Sequence, residues 1–467
     1  METAAFIDPR GNTRAHAREL LVRTVDLLLD HLADAASRTP SPEPRAFPNF
    51  FVLPETPLTE DELFERAQFV LRQSRNLAHP GYIGNMESMP TTMAVAGTML
   101  MAASKNNMLA EEMAPFLTDV EPAVMRWFAG RFGLGANSGG GMLACGTLAN
   151  LQALVTARNA RLTNSRNGLW GRQRSPVVLA SESAHTSLQK AAMVMGLGTS
   201  GVIPVHADEH SRMDIDDLQQ KIRRSRDAGQ EPFCVVATAG TTITGNIDPL
   251  PAIARVAAEH GLWLHTDAVY GGALAFSKTH RSKLDGIEQS DSVSFNLHKW
   301  AYLATTSSMI LFKDIGAAHE HFHVAAPYMN AASPSKNLGE FSLQGSRQAD
   351  IIPLLLSMQH LGMAHYARLV DTRIELAEHL RRGLEQTQLV EFPGAIDTNI
   401  VCFRPHKSTD AHCATLQNHL LKKAEVCLTL PHYRGQRWLK ADVLNPFTDE
   451  HTIDRLTASL STWECAS

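Results

Sequence analysis

The sequence predicts an α/β protein whose mostly parallel central sheet is covered by helices on both faces. Apolar, strand-like runs alternate with helical stretches such as 249–259, a pattern typical of parallel strands joined by crossover helices. These runs cover residues 176–180, 233–238, 261–266 and 292–296. Asp267 and Lys299 each follow the end of a run, and in open α/β sheets that edge is where ligands bind. The two residues therefore mark the candidate site.

The N-terminal part is predicted to be helical. Residues 15–38 have apolar positions at helical spacing and end before a proline-rich break, SPEPRAFP. Residues 59–74 form a second predicted helix, with Thr59 as its N-cap and acids in its first turn. A loop, HPGYIGNMESMPTT at 79–92, follows because its prolines and glycines interrupt any regular pattern.

Residues 138–158, SGGGMLACGTLANLQALVTAR, are predicted to form a glycine-rich turn that opens an amphipathic helix. Free backbone N–H groups and the helix dipole at such an N-terminus suit a phosphate, although most glycine-rich turns are only turns. Toward the C-terminus, 360–386 reads as a long amphipathic helix, followed by short strands near 399–403 and 426–430. We expect a small α+β domain there.

Composition excludes several classes of function. Hydrophobic residues make up 44% and charged residues 19% of the 467 residues, which is typical of a globular enzyme and not of a disordered chain. A net charge of −5 without a basic run argues against nucleic acid and anionic membranes as partners. The N-terminus lacks the apolar core of a signal peptide, and no long apolar run follows, so we expect a cytoplasmic protein.

The six cysteines give neither a metal site nor a disulfide framework. They are Cys145, Cys234, Cys402, Cys413, Cys427 and Cys465. No pair has CxxC spacing, which argues against a zinc ribbon. We therefore expect free thiols and no metal.

Asp267 and Lys299 suit pyridoxal 5'-phosphate (PLP). A lysine amine can link this cofactor covalently, and a carboxylate can hold its ring nitrogen protonated so that the ring withdraws electrons from the substrate. An isolated Asp and Lys are more often a buried ion pair or two unrelated surface charges. The wider sequence decides in favour of the cofactor.

The motifs HTDAVYGG and SFNLHKW resemble those of the group II PLP-dependent amino-acid decarboxylases, which act on glutamate, aspartate, cysteine sulfinate or aromatic amino acids. Further blocks resemble the family in the same order: HPGYIGNMESMP, CGTLANLQALVTAR, SESAHTSLQKAA, TAGTTITGNIDPL and QGSRQAD. The resemblance covers most of the chain from about residue 60. It implies an aspartate aminotransferase-like, fold-type I architecture.

The resemblance also implies site residues. The cofactor-binding residues would be Gly146, Thr147, His185, Thr242, Asp267, Asn296, His298 and Lys299. Of these, Lys299, His185 and Asp267 would be catalytic. Gly146 and Thr147 match the family's phosphate contacts, while His185 matches the residue that stacks on the cofactor ring.

The predicted substrate is an acidic L-amino acid. In the family, the loop at 79–92 lines the substrate pocket, which makes Tyr82, Asn85 and Ser88 candidates for recognition, although Tyr82 could equally be a packing residue. The sequence of this loop is similar to that of bacterial aspartate or glutamate decarboxylase-like members. Lys440 stands where many members have arginine, and it either meets a substrate carboxylate or is only a strand-end charge.

The expected reaction is α-decarboxylation, but one family feature is missing. Animal-type members return a proton to Cα from a loop tyrosine, whereas MNAASPSKNLGEFSLQGSR contains none. Either another group serves, namely Tyr328, His185, His319, His321 or His323, or the outcome differs, as in a decarboxylative aldehyde synthase or a lyase. A non-catalytic scaffold is the third alternative, against which the presence of both Asp267 and Lys299 speaks.

The resemblance finally implies three regions and a homodimer with its active sites at the subunit interface. Residues 1–78 would form an N-terminal helical dimerisation segment, 79–355 a large PLP-binding domain, and 356–467 a small C-terminal domain.

Overall fold

A seven-stranded sheet lies at the centre of the fold. The structure, a computed structural model, describes residues 6–43, 53–327, 329 and 336–463. The strands of this sheet are β1 (Gly139–Leu143), β2 (Ser175–Ser181), β3 (Val202–Val205), β4 (Gln230–Thr238), β5 (Trp263–Asp267), β6 (Ser292–Asn296) and β7 (Ser308–Phe312). Their order is β1-β7-β6-β5-β4-β2-β3. All neighbours from β3 to β6 are parallel, and β7 is antiparallel to both β6 and β1. The predicted mostly parallel sheet is confirmed.

Helices cover both faces of this sheet. The helices are α1 (Arg14–Ala33), α2 (Glu60–Gln73), α3 (Thr92–Ser104), α4 (Leu117–Arg131), α5 (Gly146–Arg161), α6 (Ser187–Val194), α7 (Ile215–Asp227), α8 (Leu250–His260), α9 (Ile315–Phe322), α10 (Ile351–Leu361), α11 (Met363–Thr387), α12 (Asp410–Lys423) and α13 (Glu450–Ser461). Side chains of β4 show the two-sided burial directly. Val235 and Ala237 belong to one hydrophobic core, whereas Cys234 and Val236 belong to the other, as the alternation of a strand requires.

A small C-terminal sheet packs with the last helices. Its strands are β8 (Val390–Glu391), β9 (Ile400–Pro405) and β12 (Leu439–Asp442), in the antiparallel order β12-β9-β8, and β10 (His432–Tyr433) with β11 (Gln436–Arg437) forms a separate hairpin. The predicted strand at 426–430 is wrong. Cys427 and Thr429 form only single bridges, because the backbone of Cys427 bonds to the loop at Gly81 instead of to a neighbouring strand.

The predicted glycine-rich turn is shorter than expected. Gly139–Leu143 form the edge strand β1, and α5 begins at Gly146 after a turn of only two residues. At Gly140 the backbones of β1 and β7 approach so closely that only glycine fits, because a Cβ at this position would overlap the Ile310 carbonyl group of β7. Strand β1 therefore leads directly into the N-terminus of α5.

The N-terminal helices pack mainly on each other. Neither α1 nor α2 buries a side chain in its own chain, and Arg23 joins them through a 2.8 Å ion pair with Asp61. Thr59 caps α2 as predicted, and its backbone N–H is bonded in return by Glu62 at 2.7 Å. Within the described ranges, no helix combines the length and apolar character that crossing a membrane requires. The boundaries of the three expected regions stay a prediction.

The close pairing of β1 with β7 gives a stability prediction. We expect Gly140→Ala to lower the free energy of unfolding by roughly 1–3 kcal/mol, because an added Cβ must displace the packed backbone of β7. Gly130→Ala in α4 is the control, since nothing lies within 4 Å of a Cβ at that position. Urea unfolding followed by circular dichroism measures both, and equal stabilities of the two variants would contradict the expectation.

Candidate active site

A cleft opens where β4, β5 and β6 end, beside the N-terminus of α5. All the cofactor-binding residues that the sequence suggested line this cleft: Gly146, Thr147, His185, Thr242, Asp267, Asn296, His298 and Lys299. Parallel strands bring their carboxyl ends to one edge, which is why Asp267 at the end of β5 and Lys299 just after β6 both line this cleft. The roles of the individual residues stay predictions.

Lys299 presents a half-buried amine in the cleft. Its Nζ lies 3.7 Å from the Met86 sulfur and 5.6 Å from the ring centre of Tyr270. Burial lowers the pKa of Lys299 to about 8, although the charges of Asp267 and Asp442 act in the opposite direction. An amine with this pKa is partly neutral near physiological pH and can act as a nucleophile.

Asp267 is a buried carboxylate surrounded by hydrogen-bond donors. Asn150 Nδ2 donates to its Oδ2 at 2.9 Å, and the Val269 N–H donates to its Oδ1 at 3.2 Å. The Ser294 hydroxyl adds a longer contact of 3.4 Å. Among the described residues, none forms an ion pair with Asp267 within 4 Å. An ionised, acceptor-only carboxylate suits a protonated ring nitrogen.

The opposite end of the cleft fits a phosphate. Gly146 is the first residue of α5, where the backbone N–H groups have no partners within the helix. A Cβ on Gly146 would lie 2.9 Å from Asn296 Oδ1 and 3.1 Å from a Val269 methyl group, so only glycine leaves this space open. Asn296 Oδ1 is buried and has no hydrogen-bond partner in the part of the chain that the structure describes. The Asn296 side chain can therefore turn either its amide oxygen or its amide NH2 group toward a ligand here.

The rim carries His185 and Thr242, both exposed. His185 Nδ1 accepts the backbone N–H of Ser187 at 3.1 Å, which leaves Nε2 free for the cleft. A flat ring at the rim can cover a flat cofactor ring. Together with the anion site and the Asp267 carboxylate, these groups fit PLP.

The predicted substrate residues do not line this cleft. Tyr82 is 2% exposed, and its hydroxyl accepts the Asn85 amide at 2.9 Å. Ser88 is buried and contacts the carbonyl of Met89 at 3.4 Å. The same loop reaches the cleft through Met86, beside Lys299. A substrate role for Tyr82, Asn85 and Ser88 stays a prediction.

Lys440 lies behind the cleft wall. It is buried on β12, where its Nζ donates to the Thr242 carbonyl at 2.8 Å and lies 3.7 Å from Asp442 Oδ2. Asp442 also accepts the Tyr270 hydroxyl at 2.5 Å, and burial raises the pKa of Asp442 to about 6. The charge of Lys440 is thus partly balanced inside the protein.

Sequence reasoning missed Asn150, Met86, Tyr270 and Asp442. Asn150 follows Gly146 by one helical turn, and this spacing could have placed it beside the cleft. Tyr270 lies within the motif that contains Asp267. Nothing in the local sequence marks Met86 or Asp442, because each reaches the site through a loop or a separate sheet.

The alternative proton donors are spread widely. His319 stacks on Phe341 with ring centres 3.7 Å apart, and His323 pairs with Glu340 at 3.0 Å. His319, His321 and His323 do not line the cleft, whereas His185 does. Tyr328 lies outside the described residues.

Comparisons with known proteins agree with this geometry. Residues 49–406 match the pyridoxal-dependent decarboxylase conserved domain. The chain is 33% identical to human cysteine sulfinic acid decarboxylase over 353 residues, covering 74% of this chain and 71% of that protein. It is 28% identical to the L-2,4-diaminobutyrate decarboxylase of Acinetobacter baumannii over 424 residues, covering 86% and 83%.

A crystal structure of mouse CSAD matches with a TM-score of 0.89 at 26% identity, covering 96% of this chain and 98% of the mouse chain. The predicted family, fold type, enzyme class and cofactor are thereby confirmed. The chain belongs to the pyridoxal-dependent decarboxylase family.

Proposed function

We propose that this PLP-dependent decarboxylase removes the α-carboxylate of an acidic L-amino acid, such as aspartate or glutamate, to give the amine and CO2. The observation that carries the proposal is the convergence of the Lys299 amine, the Asp267 carboxylate and the N-terminus of α5 in one cleft. Bound PLP supplies an acceptor for the electron pair that the departing CO2 leaves behind.

Each residue has a separate task in this proposal. Lys299 links the cofactor, and its lowered pKa supports this role because the neutral amine is the reactive form. Asp267 keeps the proton on the ring nitrogen. Gly146, Thr147 and Asn296 hold the phosphate at the start of α5.

The remaining residues position the ring and the substrate. His185 and Thr242, both at the rim of the cleft, would hold the cofactor ring. His298 lies beside Asn296, with its Nδ1 2.9 Å from the Ser307 carbonyl, and it steadies the turn that carries Lys299. Burial lowers the pKa of His298, so its ring is neutral near pH 7.

His185 is the proposed source of the proton that replaces CO2 at Cα. Its exposed ring lines the cleft, and its Nε2 is the nitrogen left free by the Ser187 contact. Burial lowers the pKa of His185, so the charged form that supplies a proton is favoured on the acidic side of neutral pH. The absent loop tyrosine also favours a second candidate outcome, a decarboxylative aldehyde synthase or lyase on the same residues.

The acidic substrate is supported by Lys440, a cation directly behind Thr242, and by the likeness to cysteine sulfinic acid decarboxylase. A second candidate substrate class carries a side-chain ammonium, as in L-2,4-diaminobutyrate. Asp442 favours this class because it balances Lys440, and Glu87 favours it because this exposed carboxylate is among the charges that act on Lys299.

A homodimer is part of the proposal. Helices α1 and α2 bury no side chain, yet α1 exposes Leu21 and Leu29, and α3 exposes Met99 and Leu100. Helices with apolar residues and no core of their own need a partner surface. Sedimentation at micromolar concentration should give twice the chain mass, and a monomer would contradict this part of the proposal.

A panel of amino acids tests the function. Assays for CO2, amine, aldehyde and ammonia should show amine and CO2 from aspartate, glutamate or cysteine sulfinate. The kcat/KM for these should exceed that for 2,4-diaminobutyrate at least about tenfold, since like charges placed together cost more than a factor of ten in affinity. Lys299→Ala should abolish turnover, while Lys313→Ala, far from the cleft, should not. A preference for 2,4-diaminobutyrate would identify the ammonium-carrying substrate class. Release of aldehyde and ammonia would identify a decarboxylative aldehyde synthase or lyase. No product from any substrate would refute the proposal.

The lowered pKa of Lys299 gives a pH prediction. The rate of covalent PLP uptake by the cofactor-free protein should rise with pH around a midpoint near 8 and not near the ordinary 10.5, because only the neutral amine attacks an aldehyde. Asp267→Asn should move the midpoint lower, since the negative charge of Asp267 raises the pKa of Lys299. Stopped-flow absorbance measures the rate, and a midpoint near 10 in both proteins would contradict the prediction.

A further inference from the structure

Asn150 lines the cleft beside Asp267, and its amide is fully used by protein partners. The side chain is 1% exposed. Its Nδ2 donates to Asp267 Oδ2 at 2.9 Å and to the Ser187 hydroxyl at 3.0 Å. Its Oδ1 accepts the Ser294 hydroxyl at 2.8 Å and faces His265 Nε2 at 3.1 Å. A buried amide with every position satisfied has one fixed orientation.

A chain of hydrogen bonds sets that orientation from outside the cleft. Trp263 Nε1, which can only donate, bonds to the Ser292 hydroxyl at 2.9 Å. The Ser292 hydroxyl also lies 2.9 Å from His265 Nδ1 and can donate to it. Burial lowers the pKa of His265 to about 4, so its ring carries a single proton, and the Asn150 oxygen 3.1 Å from Nε2 assigns this proton to Nε2. That N–H points at Asn150 Oδ1.

Turning the amide over would break this arrangement at both ends. The Asn150 oxygen would face the Asp267 carboxylate, and its NH2 group would face the N–H of His265. The donor side of Asn150 is therefore held against Asp267. An ionised Asp267 oxygen accepts this hydrogen bond more strongly than a neutral one, and the second oxygen accepts the Val269 N–H.

We propose that Asn150 is a positioning residue for Asp267, holding its carboxylate ionised and aimed at the ring nitrogen of PLP. The inference rests on the proposed pairing of Asp267 with that nitrogen. In this role the Asn150 amide acts on the cofactor through Asp267, to which it donates at 2.9 Å. Its effect is therefore transmitted only through the ring nitrogen, which distinguishes it from a residue that merely supports the fold.

Binding of two cofactors to the cofactor-free protein tests the proposal. One is PLP, and the other is its 1-deaza analogue, which has a CH group in place of the ring nitrogen. Asn150→Leu should weaken PLP binding by about 10-fold to 100-fold, the usual effect of losing a hydrogen bond to a charged group. Its affinity for the analogue should stay within about twofold of wild type. Equal weakening of both cofactors would show a structural role and overturn the proposal.

Control variants separate the two proposals. Asp267→Asn should also lose affinity for PLP but not for the analogue. If Asp267→Asn shows no such selective loss, the proposed pairing of Asp267 with the ring nitrogen is wrong. If Asp267→Asn shows the selective loss and Asn150→Leu does not, only the proposed role of Asn150 is wrong.

Two further variants exclude a general loss of packing. Asn159 lies on α5, like Asn150, and its half-buried amide donates to the His321 carbonyl. Asn159→Leu should leave the ratio of the affinities for PLP and its 1-deaza analogue unchanged. Ser294→Ala deletes the hydroxyl that donates to Asn150 Oδ1 at 2.8 Å and that has a longer contact of 3.4 Å with Asp267. Should Asn150→Leu fail to fold, Ser294→Ala should show a smaller loss of affinity for PLP and no loss for the 1-deaza analogue. An unchanged ratio of the two affinities in Ser294→Ala would overturn the proposal.

Discussion

Asp267 imposes the constraint on which this site depends, because its carboxyl group is only 5% exposed. Burying an ionised carboxylate costs several kcal/mol unless hydrogen bonds or an opposite charge compensate. Among the described residues the compensation comes from an amide, a backbone N–H and a hydroxyl, and no cation forms an ion pair with it. A positively charged ligand group in the cleft completes what the protein leaves open. This open position agrees with the proposed pairing of Asp267 with a protonated ring nitrogen of PLP.

The sheet register makes this compensation possible. Asp267 pairs with Thr238 of β4 on one side and with Ser294 of β6 on the other. Ser294 points to the same face as Asp267, so its hydroxyl reaches both Asp267 and Asn150. A slip of one residue in β6 would turn Ser294 to the opposite face and remove this contact. The chemistry at the sheet edge therefore depends on strand pairing in the core.

The residues predicted to bind the cofactor all line one cleft, whereas those predicted to bind the substrate do not line it. Lys299, Asp267 and Gly146 directly follow or begin regular elements, so strand and helix patterns locate them. Tyr82 and Lys440 lie in a loop and in a separate sheet, and their surroundings depend on long-range packing that periodicity does not encode. The strand predicted at 426–430 was wrong for the same reason. Asn150 was missed because a buried amide in an amphipathic helix looks like any polar residue of that helix.

The charge around the substrate end follows from residue spacing on β12. Lys440 and Asp442 are two residues apart, so their side chains lie on the same face of the strand and their charges stand 3.7 Å apart. This pairing makes the burial of Lys440 tolerable, and it also reduces the positive potential that Lys440 alone would project past Thr242. Tyr270, whose ring lies beside Lys299 and whose hydroxyl bonds to Asp442, joins this pair to the cofactor end. In the proposed function, selection of substrate charge would therefore depend on the cluster of Lys440, Asp442 and Tyr270 and not on Lys440 alone.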